Sequence, residues 1–399
     1  MDGMSVGDFP DFCRKHWPRI SADLMEGNYH SALVRRVFVP KPDGSKRPLG
    51  IPTVQDRMIQ QAVAQVISPL LDADFSSRSY GFRPNRSAHQ AVETMETGWK
   101  EGRRHAVDCY FKSFFDTVNH DKLMTSLREK IRCRKTLGLI RRYLMAGVRL
   151  PDGTREATHS RSATRRTTLL LLANIVLDPL DKELETRGHH LARYADDFII
   201  LVKSAKAAQR VMESVVRFCE GRLKLVVNRV KSRATLLESC TFLGCQIGHR
   251  GKLMWTDKAL LRFKQHVRGI TRRNRGHKVQ DVIDELCLYT RGWLNYYKLS
   301  CTYAEVLELS EWVRRSVRLY YWKQWKQPRT RRRNLLALGV FPERIHMASR
   351  SRKGYWRMSN NSLVRLALNN CWLEEQGVPN MRGIWISLHY PEQRSVQEV

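Results

Sequence analysis

The sequence predicts a mixed α/β protein that continues into a helical C-terminal region. Residues 34–71 carry two apolar runs around a Pro-Asp-Gly turn, followed by apolar positions at helical spacing. Residues 190–204, HLARYADDFIILVKS, place apolar runs on both sides of a short acidic step, which is typical of a strand, a turn and a second strand. From about residue 256, apolar residues recur at three- and four-residue steps, as they do in helices.

Length and charge narrow the class of protein. With 399 residues and a hydrophobic share of 42%, the chain is long enough for two or three domains with real cores, and disorder is not expected. The formal net charge of +31 and the pI near 10.2 indicate a polyanionic partner. Nucleic acid is the first candidate, and an anionic membrane surface is a distant second.

Features that would direct the chain to a membrane or out of the cell are missing from the sequence. No run of about 18 apolar residues occurs, and the start MDGMSVGDFPDF has neither a basic region nor an apolar core. The nine cysteines are an odd number without a C-x-x-C pair, which disfavours a disulfide framework or a zinc site. We therefore expect a cytoplasmic protein with reduced cysteines and no membrane partner.

The acidic step Tyr194-Ala195-Asp196-Asp197 is the first candidate for chemistry. Val, Ile and Phe favour the pleated surface and Asp tolerates a turn, so the two carboxylates are expected at the tip of a hairpin. Adjacent acids at such a tip can hold hard cations, since Mg²⁺ prefers one or two carboxylates together with substrate phosphates. Two adjacent Asp residues taken alone are more often a solvated turn, so both interpretations stay open at this point.

The first predicted hairpin has cations on both strands: Arg35, Lys41, Lys46 and Arg47. Arg binds phosphate in a planar fork and Lys binds it as a point charge, so this hairpin is suited to a triphosphate or a phosphodiester backbone. An ordinary solvated hairpin is the commoner explanation when such charges are taken alone.

The densest charge lies in WVRRSVRLYYWKQWKQPRTRRRN, where Arg and Lys alternate with Trp and Tyr. This composition is typical of a surface that pairs phosphate contacts with base stacking. The alternative puts the aromatic rings in the core and the cations in water, and we expect both faces to matter. The cations predicted to contact RNA are Arg314, Arg315, Arg318, Lys323, Lys326, Arg329, Arg331, Arg332 and Arg333.

Several of these strings resemble the reverse transcriptases of bacterial group II introns. The acidic step resembles their YADD motif, and residues 35–91, with IPTVQDR and SYGFRP, resemble the fingers. Residues 288–372, with RGWLNYY and RKGYWRMSNNSLVRLALN, resemble the thumb or X domain of the maturases. The resemblance implies a right-hand polymerase with α/β (α+β) fingers and palm, followed by an α-helical thumb.

The resemblance also implies domain limits. Residues 1–104 would form fingers that lack part of their N-terminal extension, and residues 105–250 would form the palm, with a helical fingers insertion at residues 121–160. Residues 251–399 would form the thumb and maturase domain. Many relatives end in a Cys/His-containing nuclease module, whereas this chain stops at Val399 without one, so no endonuclease activity is expected.

Roles for individual residues follow from the same resemblance. Asp196 and Asp197 would ligate the two Mg²⁺ ions of an enzyme that copies RNA into DNA from dNTPs. Lys231 would donate a proton to the leaving pyrophosphate, although a lone Lys after a helix is more often a surface charge. Group II intron RNA and a DNA primer or target would be the partners. The residues that would hold the incoming nucleotide are Arg35, Lys41 and Arg47, with Arg83 supporting their pocket.

Two departures from the family pattern put DNA synthesis in question. Relatives have V-D-x-D on the palm strand, and this chain has Tyr110 at the second aspartate, where a neutral phenol is a poor Mg²⁺ ligand. Asp108 shares the strand face but lies about 6.5 Å away, too far to take over the role. The block RSATRRTTLL places Arg165 and Arg166 where the family has glycines that admit the template.

The expected function is therefore a group II intron reverse transcriptase homologue with weak or absent DNA synthesis. One alternative is a splicing maturase that binds intron RNA without polymerising, which the nearly complete basic and aromatic C-terminal region favours. A second alternative is an inactive remnant, with which the shortened N-terminus is compatible.

Overall fold

A computed structural model describes residues 3–40, 44, 46–156 and 167–391 of the protein. The chain forms two compact units, Met1–Leu243 and Gly244–Val399. The predicted limits of fingers, palm and thumb within these units stay predictions.

The first unit combines helices and strands, and several of its helices begin at a side chain that accepts a backbone N–H, such as Thr53 and Ser204. Its helices are α1 (Phe9–Glu26), α2 (Val54–Asp72), α3 (Ala88–Lys100), α4 (Phe114–Thr117), α5 (His120–Lys130), α6 (Arg134–Met145), α7 (Thr167–Thr186) and α8 (Ala205–Phe218). Its strands are β1 (Val34–Pro40), β2 (Lys46–Ile51), β3 (His105–Cys109), β4 (Val148–Arg149), β5 (Arg155–Glu156), β6 (His190–Tyr194), β7 (Asp197–Val202) and β8 (Arg233–Leu236).

One antiparallel sheet, with the strand order β6-β7-β3-β8, carries the acidic step. Strands β3 and β7 are almost wholly buried, as their Val, Ile and Phe content predicts. Helices α5, α7 and α8 contribute to the same hydrophobic core. In the register, Cys109 at the end of β3 pairs with Phe198 on β7. The residues that follow β3 therefore come close to Asp197, at the start of β7.

A second sheet has the order β2-β1-β4-β5, and its β1–β2 hairpin is the one that the sequence predicts. The expectation of a helical insertion over residues 121–160 agrees with α5 and α6 and is corrected at residues 148–156. There the chain forms strand, turn and strand, and β4 pairs in parallel with β1. The Leu150 N–H donates to the Thr154 carbonyl (3.0 Å) around a Pro-Asp-Gly turn, a sequence that favours a hairpin over a helix.

The second unit opens with a hairpin of β9 (Cys245–Ile247) and β10 (Leu253–Trp255) and continues as helices, as the periodicity predicts. Aromatic rings build part of its core, since Trp293 lies 4.9 Å from Trp255 and 4.6 Å from Phe263 between ring centroids. The helices are α9 (Asp257–Ile270), α10 (Val279–Tyr297), α11 (Tyr303–Gln324), α12 (Pro328–Ala337), α13 (Pro342–Ser349), α14 (Tyr355–Met358), α15 (Ser362–Ala367), α16 (Asn370–Glu375) and α17 (Met381–His389).

The cysteines are consistent with the expected reduced state. All nine are free thiols, and the buried ones are Cys109, Cys219, Cys240, Cys245 and Cys301. In the described part of the chain, no helix has both the length and the apolar character needed to cross a membrane.

Replacing Gly244 tests the turn that opens the second unit. Gly244 has a φ of +81°, and a Cβ built there would lie 2.6 Å from the Tyr297 hydroxyl oxygen. Gly244→Ala is expected to lower the free energy of unfolding by about 2–4 kcal/mol, because backbone strain and steric overlap act together. Gly339→Ala is the matched control, because Gly339 has a φ of +78° with open space around the built Cβ. Equal losses for both variants in chemical denaturation would contradict the steric contribution.

Candidate functional site

The acidic step lies at the tip of the β6–β7 hairpin, which confirms the predicted hairpin. Tyr194 pairs with Asp197 across the turn. Ala195 adopts a left-handed conformation with a φ of 60°, which is uncommon for a residue that has a Cβ. Such a turn persists where surrounding contacts hold it.

The main contact is the guanidinium of Arg193, which is fully buried one residue before the step. Its Nε and Nη2 donate to the Asp181 carboxylate on α7, and its Nη1 donates to Asn174 Oδ1 at 2.8 Å. The same Nη1 donates to the carbonyl of Ala195 at 2.9 Å, and Nη2 donates to Ser79 Oγ at 2.8 Å. The cation is thus neutralised inside the fold and holds the left-handed residue of the turn.

The SYGFR string packs directly against this turn. The Tyr80 N–H donates to the Arg193 carbonyl (2.8 Å), and the Arg193 N–H donates to the Arg78 carbonyl (2.9 Å). A Cβ built at Gly81 would lie 2.5 Å from the backbone nitrogen of Ala195, so a larger residue would push the turn away. Sequence reasoning missed Arg193 and Gly81 as positioning residues, although a lone Arg inside a strongly apolar strand was an available signal.

Two carboxyls lie near the hairpin tip, Asp108 on β3 and Asp197 on β7. Nearby cations and hydrogen bonds do not fully offset the cost of burying their negative charge. Burial, followed by the charges of Asp108 and Asp196, raises the pKa of Asp197 to about 7. Burial also raises the pKa of Asp108 to about 6, although Tyr110 and Arg233 act in the opposite direction. Asp108 Oδ2 and Asp197 Oδ1 are buried without a hydrogen-bond partner. A proton or a cation would relieve this excess of negative charge.

Tyr110 follows β3 and lies next to both carboxyls. Burial, and then the charges of Asp108 and Asp197, raise the pKa of its phenol, so the ring stays neutral at pH 7. Its backbone is fixed on both sides, since its N–H donates to Ser232 Oγ (2.9 Å) and its carbonyl accepts from the Asn228 N–H (2.7 Å). A neutral ring therefore stands where the resemblance implies a metal-binding aspartate.

These residues do not fit the two-ion ligand set that the resemblance implies. Among the residues that the structure describes, no group of three or more His, Cys, Asp or Glu side chains could hold a metal ion. Asp197 Oδ1 has no hydrogen-bond partner and Asp108 Oδ2 has only Arg233 Nε at 3.7 Å, but Tyr110 supplies neither charge nor a good ligand atom for Mg²⁺. Asp196 and Asp197 remain predicted ligands.

The predicted nucleotide-binding cations are described only in part. Arg35 is exposed and lines an open cavity of about 630 Å³ together with Arg149. Lys41 and the side chain of Arg47 lie outside the described residues, as do residues 161–166 of the altered block. Binding of a nucleotide by this group stays a prediction.

Arg83 and Lys231 occupy different kinds of position. Arg83 is buried. Its Nε donates to Asp72 Oδ1 (2.6 Å) and its Nη1 donates to the Ser79 carbonyl (2.9 Å), so it links the SYGFR string to the end of α2. Lys231 is exposed on the turn whose Asn228 N–H binds the Tyr110 carbonyl. The structure thus brings the Lys231 turn to Tyr110, and the role of each cation in nucleotide chemistry stays a prediction.

Two of the predicted RNA-binding cations are buried in the second unit. Arg318 donates to the Leu368 carbonyl at 2.8 Å. Arg331 donates to the Trp325 carbonyl at 2.9 Å and stacks on the Trp322 ring, 4.7 Å from its centroid. Tyr320, Tyr321 and Trp322 are themselves in the core. These guanidinium groups therefore stabilise the helical unit.

The other predicted RNA-binding cations lie nearer to the surface. Arg314 donates to Glu374 Oε1 (2.5 Å) and Arg315 donates to the Trp356 carbonyl (3.0 Å). Arg329, Arg332 and Arg333 share one exposed face of α12, because they are three and four residues apart. The remaining members are Lys323, which is half-buried, and Lys326, which is exposed.

An acidic hairpin on an antiparallel palm-like sheet, followed by a basic helical unit, defines the class of template-directed polymerases with a palm and a thumb. Comparison with family models gives the same class and refines it. Residues 39–247 match the model described as reverse transcriptase (RNA-dependent DNA polymerase), and residues 260–339 match the group II intron, maturase-specific domain. The first match covers more than half of the chain, and the chain belongs to the reverse transcriptase family, with a group II intron maturase domain.

Individual proteins are similar to this chain over part of their length. Protein YkfC of Escherichia coli is 32% identical over 53% of this chain and 65% of its own length. The group II intron-encoded protein LtrA of Lactococcus lactis is 28% identical over 59% of this chain and half of its own length. The chain thus spans about half to two thirds of these relatives. Among solved structures, a telomerase from Candida tropicalis aligns over 85% of this chain and 68% of its own, with a TM-score of 0.45 and 11% identity.

Removing the buried Arg193 cation tests its structural role. Arg193→Met is expected to lower the free energy of unfolding by about 3–5 kcal/mol, because the Asp181 charge stays buried without its partner. The matched control is Arg187→Met, which breaks a partly exposed pair with Glu183 and should cost at most about 1 kcal/mol. Urea denaturation provides both values, and a loss at Arg193 no larger than at Arg187 would contradict the role given to the buried pair.

Proposed function

We propose that the protein is a group II intron reverse transcriptase homologue in which DNA synthesis is weak or absent. The observation that carries this proposal is Tyr110, a neutral, half-buried phenol beside Asp108 and Asp197 at the position of the missing aspartate. Mg²⁺ would be the cofactor and dNTPs the substrates of any residual synthesis.

The size of the expected defect follows from electrostatics. A metal ion that stabilises the transition state needs nearby negative charge, and loss of one ligand carboxylate commonly costs several kcal/mol, or about a thousandfold or more in rate. Asp108 is the nearest substitute, but its Oδ2 already lies 3.7 Å from Arg233 Nε. The bulk of the Tyr110 ring also occupies space that an ion and its water ligands would need.

A second obstacle to DNA synthesis, independent of Tyr110, lies in the altered block RSATRRTTLL. The altered block carries Arg165 and Arg166 at positions where the family has two glycines. Glycines there would let the backbone approach the template, and arginine side chains would obstruct it. Repair of Tyr110 alone is therefore expected to restore less synthesis than repair of both places.

Primer extension on an RNA template with Mg²⁺ and dNTPs tests the proposal. The variants are Tyr110→Asp, the matched control Tyr110→Phe, and Tyr110→Asp combined with a Pro-Gln-Gly-Gly block at residues 163–166. We expect cDNA from the aspartate variants, most from the combined one, and at least about a hundredfold less from the natural chain and from Tyr110→Phe. Strong steady-state synthesis by the natural chain would overturn the proposal.

A second candidate function is RNA binding as a splicing maturase without polymerisation. It is supported by the match of residues 260–339 and by the exposed Arg329, Arg332 and Arg333 on one face of α12. Binding through such cations should weaken steeply as salt is raised, with specificity supplied by the folded intron RNA. Equal affinity for a group II intron and for an unrelated structured RNA of the same length would count against this function.

A further inference from the structure

An aromatic and basic surface of the helical unit combines Trp312 and Arg315, from the stretch predicted to contact RNA, with residues of α9 and α14 outside that stretch. Trp312 on α11 and Trp356 on α14 have ring centroids 6.4 Å apart. The Nζ of Lys264 and the guanidinium of Arg268, both on α9, lie 5.8 and 5.4 Å from the Trp312 centroid. The guanidinium of Arg315 lies 3.9 Å from the Trp356 centroid. We call these five residues the tryptophan row.

The three cations of the row lie on two helices, Lys264 and Arg268 on α9 and Arg315 on α11. Lys264 and Arg268 are one helical turn apart, so both project from the same side of α9. Neither forms an ion pair with a carboxylate in the part of the chain that the structure describes. Cations over rings at a surface contribute modestly to stability, which by itself does not explain three of them in one row.

The row also leaves aromatic surface open. Trp356 is 39% exposed and its neighbour Tyr355 is 38% exposed, whereas Trp312 packs partly against the core. Exposed aromatic surface next to cations that form no ion pair is the chemistry that binds single-stranded nucleic acid, because every base has a face that can stack and every phosphate attracts a cation. An acidic protein would use the cations but has no need of the rings.

We propose that the tryptophan row is a binding site for unpaired nucleotides of RNA. A base stacks against the exposed part of the Trp356 ring, and the adjoining phosphates are held by Lys264 and Arg268. The proposal rests on the proposed binding of intron RNA and adds a site that prefers single-stranded over duplex segments.

Binding of a labelled 12-nucleotide uridine oligomer to the full chain tests the site. Trp356→Ala is expected to weaken binding about tenfold, within the usual effect of losing one stacked base, whereas Trp356→Phe stays within about threefold. Trp17→Ala is the matched control, because Trp17 is a tryptophan of similar exposure, 43%, in the first unit. Unchanged affinity of Trp356→Ala would overturn the site.

The contribution of Lys264 and Arg268 is measured separately, through the salt dependence of binding. For Lys264→Ala combined with Arg268→Ala, the slope of log affinity against log salt should become less steep by about 1.4, since each phosphate contact on a single strand contributes about 0.7. Trp356→Ala should leave that slope unchanged. Displacement of the oligomer by polyglutamate as readily as by unlabelled RNA of equal charge would also overturn the assignment to RNA.

Photocrosslinking keeps the test independent of how well the variants fold. The natural chain, crosslinked to a 4-thiouridine oligomer and digested, should yield its main adduct in the peptide that contains Tyr355 and Trp356. Adducts confined to other peptides would contradict the site while leaving intron binding intact. Failure of the natural chain to bind any RNA at low salt would instead remove the proposed maturase function itself.

Discussion

The buried ion pair between Arg193 and Asp181 is the constraint on which the palm depends. A guanidinium taken out of water costs several kcal/mol unless its charge and its N–H groups all find partners. Here those partners come from α7, from SYGFR and from the turn itself. The elements that surround the hairpin must therefore assemble together, and the tip is held whether or not chemistry takes place there.

The residues that hold the hairpin in place are therefore different from the residues that would bind a metal ion there. The hairpin, the contacts of Arg83 and the sheet register lie within residues 39–247, which match the reverse transcriptase family. The backbone of Tyr110 is held by Ser232 and Asn228, which bind its N–H and its carbonyl, whereas its side chain supplies no negative charge. A chain of this kind can keep the fold of a polymerase and an RNA-binding surface while it loses the ligand set for metal ions.

Secondary structure that depends on local apolar spacing can be predicted from the sequence. The burial of a charged side chain cannot, because it depends on which partner that side chain contacts in the fold. The acidic hairpin and the helical second unit follow from apolar spacing. Arg318 was predicted to contact RNA, yet it is buried, because its partner, the Leu368 carbonyl, is distant in the chain. Residues 148–156 were expected within a helical insertion, and their strands are not apparent from apolar spacing because each is two residues long and β4 pairs with the distant β1.

The central claim is that Tyr110 removes the capacity of the palm to bind divalent metal. The direct test is Mn²⁺ binding by the full chain, followed through the loss of the free-ion electron paramagnetic resonance signal. The claim predicts that Tyr110→Asp binds Mn²⁺ at least about tenfold more tightly than the natural chain, and that adding Asp197→Asn abolishes this gain. Equally tight binding by the natural chain, lost on Asp197→Asn, would contradict it.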